Sequence, residues 1–345
     1  MHVLSSITDQ SLPVLERFFV EIGEKPFRAK QLFKWLYRKN VASFEEMTDI
    51  RKELRSCLAR TFAMPVAEEW KRQTSTDGTL KFALKLKDNA LIESVILFDE
   101  ERRTLCLSTQ VGCQRGCRIC ATAQMGFKRN LTQGEILQQI IHANRILGPE
   151  RPIMNLVFMG MGEPMDNLDN VLAALAVIHS DHGFCISPKR ITVSTVGILE
   201  GIERLAKEGN GEGLAISLHA STDEVRRKLV PAAKKSSIRE ILAASGVYAR
   251  KIGEKITFEY VLIRGLNTLP EDGERLSVLL SRLPSKLNLI PCNTARDNTF
   301  QPPSEREIHA FLKPLLSSPV IITRRKTKGS DIAAACGQLC ASEEL

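Results

Sequence analysis

Long apolar runs are missing from this chain of 345 residues. No stretch of about 18 consecutive apolar residues occurs, so a membrane-spanning helix is not expected. Residues 1–6 have no charged region that leads into an apolar core, so a secretory signal is not expected either. Low-complexity segments and short-period repeats are also absent. These absences predict a cytoplasmic protein with reduced thiols and no membrane partner.

A disulfide scaffold is excluded by the cysteines, because the chain has nine of them, an odd number with clustered spacing. The hydrophobic content of 43% is enough for a large core. It allows one domain of about 200 to 250 residues and a smaller one. The net charge of +8 favours a polyanionic partner, although many basic enzymes act on neutral substrates. Basic runs at 226–228, 234–235 and 324–328 point toward nucleic acid.

Three cysteines stand close together at Cys113, Cys117 and Cys120, a C-x3-C-x2-C spacing. Gly112 and Gly116 allow the backbone to fold tightly around whatever the thiolates hold. Three soft ligands so close together suggest a metal centre, either zinc or an iron–sulfur cluster. Structural zinc prefers four closed ligands, and no fourth Cys or His follows at zinc-finger spacing. The spacing therefore favours a cluster with one iron left open to bind a substrate.

Residues 1 to 65 are predicted to be helical, with helices over 12–19, 28–39 and 44–62. The second helix is basic and carries Trp35 and Tyr37 away from its main apolar stripe. A basic helix with aromatic residues suits contact with RNA backbone and bases. An ordinary amphipathic helix with its charges in water is the alternative, and on this segment alone it is favoured.

From residue 66 the pattern changes to strands. Residues 81–87 alternate polar and apolar, 90–98 form another apolar run, and Asp77-Gly78 marks a hairpin turn. Glu93 lies within the second run, where a lone carboxylate is usually on the solvent face of a strand.

From residue 104 onward strands alternate with helices, which predicts a parallel sheet that right-handed crossovers curl into a partial barrel. The expected strands are 104–110, 153–159, 190–194, 213–217, 256–262 and 287–290. The expected helices are 133–147, 168–180, 198–208, 223–229 with 237–251, and 271–283. Polar residues follow the strand ends: Glu163, Ser194, His219 and Asn293. Each alone is typical of a turn, a cap or a packed histidine, but their common edge favours a site.

The C-terminal segment is rich in small residues and ends in Cys336-Gly337 close to the C-terminus. Such a segment is expected to pack little core and to be mobile. An idle thiol at a frayed end is one interpretation. The other is a flexible arm that delivers a nucleophilic thiolate, with nearby basic residues lowering the pKa of that thiol.

These residues resemble a known family. The cysteine triplet with Ala121-Thr122 and 126–132 resembles the radical S-adenosylmethionine enzymes, and more narrowly the dual-specificity RNA adenine-C2 methyltransferases of the RlmN family. The resemblance extends through Gly162-Glu163-Pro164, Ser217-Leu218-His219, 325–327 and 335–339. The triplet alone is typical of the superfamily, whereas its combination with Cys336 and Cys106 is specific to the family.

The resemblance implies an α/β fold: a partial (β/α)6 radical-SAM barrel with a small N-terminal helical accessory domain and a flexible C-terminal tail. The implied division is a helical RNA-binding domain at 1–65 and a β extension at 66–98. The radical SAM core would span 99–331, and the tail at 332–345 would carry Cys336.

The resemblance also implies the cofactors and the roles of residues. Cys113, Cys117 and Cys120 would hold one 4Fe–4S cluster, and two S-adenosylmethionine molecules would be used per turnover. One would methylate Cys336, and the other would yield a 5′-deoxyadenosyl radical that leads to a covalent RNA adduct. Glu93 would remove the C2 proton, and Cys106 would release the product through a transient disulfide. The cofactor-contacting positions are Gly162, Glu163, Ser194, Ser217, Leu218, His219 and Asn293.

The implied partners are 23S ribosomal RNA, at a peptidyl-transferase-centre adenine, and transfer RNA, at the adenine 3′ of the anticodon. An electron donor such as flavodoxin or ferredoxin is expected, and the expected form is a monomer. Two alternatives are kept: a C8-specific 23S rRNA methyltransferase that confers antibiotic resistance, and a non-enzymatic zinc or Fe–S RNA-binding module. The family assigns no role to Cys57, Cys185, Cys292 or Cys340.

Overall fold

The computed structural model describes residues 4–64, 68–293 and 300–340. The expected domain boundary at residues 65 and 66 and the last tail residues, 341–345, lie outside the described residues. Helix α1 (Leu12–Glu21), helix α2 (Phe27–Phe33) and helix α3 (Lys52–Thr61) form the N-terminal unit, with short paired strands β1 (Ser5–Ser6) and β2 (Phe62–Ala63). The three predicted helices are confirmed. The third begins later than expected, because a separate 3-10 turn at Phe44–Glu46 precedes it.

The aromatic residues of the second helix are buried. Trp35 is 8% exposed and Tyr37 is 2% exposed, in a π-helical turn that continues α2. The Trp35 indole donates to Asp49 Oδ1, and the Lys39 ammonium lies 3.4 Å from the centre of the Trp35 ring. Both rings therefore belong to the core of the N-terminal unit, and the prediction that they suit contact with RNA bases is wrong.

Ten strands of the described residues form the main sheet, in the order β14-β13-β12-β11-β10-β9-β6-β5-β4-β3. The antiparallel part is β3 (Glu68–Thr74), β4 (Leu80–Lys85), β5 (Leu91–Asp99) and β6 (Arg102–Cys106). The parallel part continues from β6 through β9 (Asn155–Phe158), β10 (Ile191–Thr195), β11 (Gly213–Ser217), β12 (Ile256–Leu262), β13 (Ser285–Pro291) and β14 (Ile321–Arg324). A separate hairpin pairs β7 (Gln110–Gly112) with β8 (Phe127–Asn130).

The helices alternate with the parallel strands, as predicted. They are α4 (Ala121–Gln124), α5 (Gln133–Leu147), α6 (Leu168–His179), α7 (Leu199–Glu208), α8 (Asp223–Leu229), α9 (Ile238–Ile252), α10 (Pro270–Leu280) and α11 (Glu305–Leu312). The α/β class and the partial barrel are confirmed, and the open sheet ends at β14 and β3. Strand β14 and helix α11 were not predicted. Strand β14 is short and largely exposed, and its apolar run, Val320-Ile321-Ile322, is only three residues long.

The core lies between the parallel strands and their helices. Leu156, Val193, Ile216 and Phe258 are at most 1% exposed at the centre of the sheet. Because parallel strands run in one direction, the residues that follow them collect at one edge of the sheet. No helix of the described residues is long and apolar enough to cross a membrane.

The C-terminal segment packs against the barrel over its described residues. Ala334, Ala335 and Leu339 are 5 to 7% exposed. The Thr122 hydroxyl donates to the Leu339 carbonyl at 2.7 Å. The expectation that this segment packs little core is therefore wrong, because small side chains fit closely against the cysteine loop. Its flexibility stays a prediction.

Candidate active site

A cavity of about 160 Å³ lies at the carboxyl ends of the parallel strands. Most of the predicted site residues line it: Cys113, Cys117, Cys120, Gly162, Glu163, Ser194, Ser217, His219 and Cys336. A smaller cavity of about 30 Å³ is lined by Cys106, Asn293 and Cys336. Cys336 therefore lies between the two cavities, although it is more than two hundred residues from the cysteine triplet.

The cysteine loop is held by glycine geometry and by one ion pair. Gly112 has φ +75°, and a Cβ atom there would lie 1.8 Å from the Gly126 carbonyl oxygen, so only glycine fits. The Cys113 amide donates to the same carbonyl at 2.9 Å. Arg115 pairs with Asp166 through two hydrogen bonds, one of them from Nε at 2.6 Å. These contacts fix the loop on the barrel.

The three thiols fit a metal cluster because they are grouped at the wall of one cavity. Burial raises the pKa of Cys113 to about 11, and burial together with the neighbouring thiols raises that of Cys117. Metal binding is what deprotonates such thiols. Among the described residues, no three His, Cys, Asp or Glu side chains converge as ligands of a single metal ion would. A 4Fe–4S cluster does not need that convergence, since each cysteine binds a different iron.

Gly162 and Glu163 follow β9. Gly162 has φ +100°, and a Cβ there would lie 2.5 Å from Gln110 Cβ. The Glu163 carboxylate accepts from the Val196 amide at 2.9 Å and the Met165 amide at 3.1 Å. Burial raises the pKa of Glu163, and these amides oppose the rise. The carboxyl is thus oriented at the wall of the main cavity.

The next two strands bring Ser194, Ser217 and His219 to the same wall. His219 adopts φ +59°, and its Nδ1 accepts from the Val261 amide at 3.2 Å. Burial lowers the pKa of His219 to about 3, so the ring is neutral at physiological pH. The Leu218 side chain is fully buried and is not part of the cavity lining, so this predicted residue acts at most through its backbone.

Cys336 is held by a network of hydrogen bonds. Arg325 Nη1 donates to its sulfur at 3.3 Å, and Asn293 Nδ2 donates to its carbonyl oxygen at 3.2 Å. The Ala121 amide donates to the Gly337 carbonyl at 2.7 Å, which ties the segment to the cysteine loop. Asn293 was predicted to contact the cofactor. The structure places it on the smaller cavity, where it supports Cys336.

Cys106 ends β6 and shares the smaller cavity with Cys336. Burial raises the pKa of Cys106 to about 12, with a further increase from the Cys336 thiol. Both residues are free thiols. The structure thus brings the two predicted partners into one cavity as thiols, and their transient disulfide stays a prediction.

Glu93 is buried at 2% exposure, so its placement on a solvent face would have been wrong. Its carboxylate pairs with Lys81 Nζ at 3.1 Å and accepts from the Cys340 amide at 2.8 Å. Lys81 Nζ in turn donates to the Ala333 carbonyl at 3.3 Å. The C-terminal segment therefore covers Glu93, which lines neither cavity.

Besides Lys81, sequence reasoning missed two buried charged residues near the main cavity, Glu259 and Arg226. Glu259 lies within β12, lines the main cavity and accepts from Asn288 Nδ2 at 2.8 Å. Arg226 lies in α8 and was counted as part of a basic surface run, yet it is 0% exposed. A lone carboxylate in an apolar strand was a usable signal for Glu259. Nothing in the Arg226-Arg227-Lys228 run distinguishes the buried arginine.

Comparison with known proteins defines the class of this fold and site. The model of the Radical SAM superfamily matches residues 107–271. The structure of a radical SAM methyltransferase from Sphaerobacter thermophilus superposes with a TM-score of 0.93 and 38% identity, covering 98% of this chain and 100% of that one. The chain therefore has the fold of a radical SAM enzyme.

The N-terminal unit and the curated relatives specify the family. The model of the ribosomal RNA large subunit methyltransferase N-terminal domain matches residues 6–64. A dual-specificity RNA methyltransferase RlmN of Nitratidesulfovibrio vulgaris is 45% identical, covering 93% of this chain and 90% of the relative. An RlmN of Geobacter sulfurreducens is 42% identical, covering 98% and 93%. The chain belongs to the RlmN family of dual-specificity RNA methyltransferases.

Proposed function

We propose that this protein methylates C2 of adenine in RNA through a radical mechanism in which Cys336 carries the methyl carbon. One observation supports this most directly: the Cys336 thiol lies in the same cavity as the three clustered cysteines. A thiol without a function would not need its contacts to Arg325 and Asn293, nor the tie of the next residue to the cysteine loop. The two RlmN relatives named above are dual-specificity RNA methyltransferases, and they support the reaction class.

The cofactors of the proposal are one 4Fe–4S cluster, held by Cys113, Cys117 and Cys120, and S-adenosylmethionine at two molecules per turnover. When bound, they supply the methyl group and the radical chemistry that an unreactive adenine C2–H requires. The residues proposed to position S-adenosylmethionine are Gly162, Glu163, Ser194, Ser217, Leu218, His219 and Asn293. Of these, Glu163 offers a fixed carboxyl and His219 a neutral ring, whereas Leu218 offers its backbone and Asn293 acts through Cys336.

Side chains of the protein carry out the remaining proposed steps. Arg325 orients the Cys336 sulfur, and Glu93 accepts the C2 proton from the RNA adduct. Cys106, as the thiolate, then attacks the Cys336 sulfur: an S–S bond forms and the bond from that sulfur to the RNA-bound carbon breaks. That carbon keeps the bonding electron pair and takes up a proton, which leaves a methyl group on the RNA. The shared cavity of Cys106 and Cys336 supports this last step. Because Glu93 is paired and covered, the C-terminal segment must move before the base reaches RNA.

The proposed substrates are 23S ribosomal RNA and transfer RNA, and the net charge of +8 supports a nucleic-acid partner. The proposed domain division is 1–65, 66–98, 99–331 and 332–345. We also propose a cytoplasmic monomer that receives electrons from a flavodoxin or a ferredoxin. The C8-specific alternative is not favoured, because the relatives named above are RlmN proteins. Those same relatives are enzymes, which disfavours the non-enzymatic RNA-binding module.

An anaerobic methylation assay tests the proposal. The reconstituted protein, S-adenosylmethionine and a reductant are incubated with ribosomal or transfer RNA, which is then digested to nucleosides for mass spectrometry. The expected product is 2-methyladenosine. A product of 8-methyladenosine would overturn the C2 assignment, and unmodified RNA with a fully loaded cluster would overturn the activity.

A further inference from the structure

Arg226 is a buried cation without an acidic partner in contact. Its side chain is 0% exposed. Among the described residues, Nε and Nη1 have no hydrogen-bond partner, and Nη2 donates to main-chain carbonyls, those of Val196 and Ser217. The Asp223 carboxyl, one turn earlier, also acts on it electrostatically, but Asp223 Oδ1 accepts the Ile238 amide at 2.8 Å. An uncompensated buried charge is costly, so this guanidinium needs an explanation.

The position of Arg226 supplies that explanation. Val196 and Ser217, whose carbonyls it contacts, both line the cavity of the three cysteines. The helix that carries it, α8, ends at Leu229, and the Leu229 carbonyl accepts the Arg118 amide of the cysteine loop at 2.9 Å. Leu229 also packs in the apolar cluster that contacts Cys117. Arg226 therefore lies on the helix that contacts the cysteine loop, with its guanidinium on two residues of the cavity wall.

The cysteine loop has the opposite need, because its thiolates require a positive charge nearby. Cys117 packs against the apolar cluster that contains Leu229, and Arg226 is close enough to Cys117 to interact with it electrostatically. A cation without an anion thus stands next to thiols that must become anions to bind metal. A buried guanidinium and a buried thiolate are each unfavourable alone, and their opposite charges offset each other.

We propose that Arg226 is the charge partner of the cysteine-bound cluster, offsetting its negative charge and stabilising its reduced form. The inference rests on the cluster of the proposed function. It assigns Arg226 a positioning role: the guanidinium acts through the cluster and the two strand ends, and it contacts neither cavity directly. Reduction adds negative charge to a buried site, so a fixed buried cation favours it.

The test compares variants that separate charge from hydrogen bonding. Arg226→Gln keeps a donor for the carbonyls but removes the charge, and Arg226→Met is a second neutral variant of similar length. Arg226→Lys keeps the charge. Arg227→Gln is the matched control, because Arg227 is the next residue of the same helix and is exposed.

The midpoint potential of the reconstituted cluster is measured by spin-resonance-monitored titration without RNA. For Arg226→Gln we expect the equilibrium constant for reduction to fall at least tenfold, a shift of about 59 mV to more negative potential. Arg226→Lys should recover most of the shift, and Arg227→Gln should show none. An unchanged potential in both neutral variants overturns the inference.

Thermal unfolding of iron-free and loaded protein gives a second readout. Loss of the charge partner should lower the unfolding temperature of Arg226→Gln more in the loaded than in the iron-free protein. An equal loss in both forms means that Arg226 only supports the main chain, and it overturns the inference. A wild-type chain that takes up no iron overturns the cluster itself, which is a distinct outcome from iron uptake with an unchanged potential.

Discussion

Arg325 donates a hydrogen bond from Nη1 to the sulfur of Cys336 at 3.3 Å. Burial raises the pKa of the Cys336 thiol, and the guanidinium opposes that rise. The same guanidinium interacts electrostatically with Cys106 and Glu259. One half-buried cation therefore serves both thiols of the proposed reaction.

Replacing Arg325 with methionine is expected to make Cys336 less reactive. Without the cation the pKa of the thiol rises further, and each unit of rise lowers the thiolate fraction about tenfold at neutral pH. We expect alkylation of Cys336 by iodoacetamide in the iron-free protein to slow by about tenfold, measured by peptide mass spectrometry. Arg324→Met is the control, since Arg324 is more exposed and pairs with Glu305. Equal rates in the two variants would contradict the role of Arg325.

Cys336→Ala should abolish methyl transfer and leave RNA binding intact, because the alanine removes the methyl carrier but no RNA-binding charge. Methylation is followed by mass spectrometry of digested RNA, and affinity by filter binding. Cys185→Ala is the control, since Cys185 is exposed and lies in neither cavity. Turnover at the wild-type rate in Cys336→Ala would end the covalent mechanism.

Cys106→Ala should trap a covalent complex between protein and RNA, since the thiol that displaces the adduct is missing. The measurement is a denaturing gel of single-turnover reactions with labelled RNA. We expect a slow-migrating band that disappears when Cys336→Ala is added to the same chain. If only free RNA is seen, Cys106 does not resolve the adduct.

Lys81→Met should destabilise the fold by about 3 kcal/mol, because it leaves the carboxylate of Glu93 buried without its cation. The two side chains are 4% and 3% exposed, so water cannot replace the missing charge. Urea denaturation of the iron-free protein measures the loss. Lys87→Met changes an exposed lysine beyond the same strand and should cost little. A similarly small loss of unfolding free energy in Lys81→Met would show that the burial of Glu93 does not depend on its ion pair with Lys81.

Asp77 is expected to hold the C-terminal segment in a pH-dependent manner. Burial alone would raise its pKa, but hydrogen bonds from Thr79 and Gly329 outweigh this and lower it to about 2 from an ordinary value of 3.8. The folded pKa is depressed, so the stabilisation is present above 3.8 and is lost as the pH falls toward 2.

The protection factors of the amides near Gly329 and Cys336 in iron-free protein, corrected for the pH dependence of intrinsic exchange, should therefore fall across that window. Asp77→Asn should show faster exchange already at neutral pH, whereas Asp169→Asn, at an exposed site on α6, should not. Unchanged exchange in Asp77→Asn would show that this carboxylate does not hold the segment.

Much of the fold could be predicted because its pattern is local. The alternation of apolar strands with amphipathic helices depends on neighbouring residues, and the strand from 213 to 217 was predicted with its observed bounds. The cysteine triplet likewise depends on spacing within one loop. Strand β14 was missed because its β-branched run, Ile321-Ile322-Thr323, is very short, and pairing with β13 is what defines the strand.

The rest of the site depends on contacts between distant parts of the chain. Glu93 is buried because Lys81 neutralises it and because the Cys340 amide, 247 residues away, covers it. Trp35 was expected outside the apolar stripe, but its partner Asp49 lies in the next connection. The burial of Arg226 depends on which side of α8 faces the barrel. No local pattern contains these relationships.

The segment that carries Cys336 also lays the Cys340 amide on the carboxylate of Glu93. In the proposed reaction the positions of Cys336 and Glu93 are thus coupled. A movement that withdraws the segment carrying Cys336 also uncovers the carboxylate of Glu93. If Glu93 is the base of the proposed reaction, it can accept a proton only after the Cys340 amide has left its carboxylate, which would impose an order of events. In the proposed reaction, the C-terminal segment covers Glu93 in one position and allows Glu93 to reach the RNA in another.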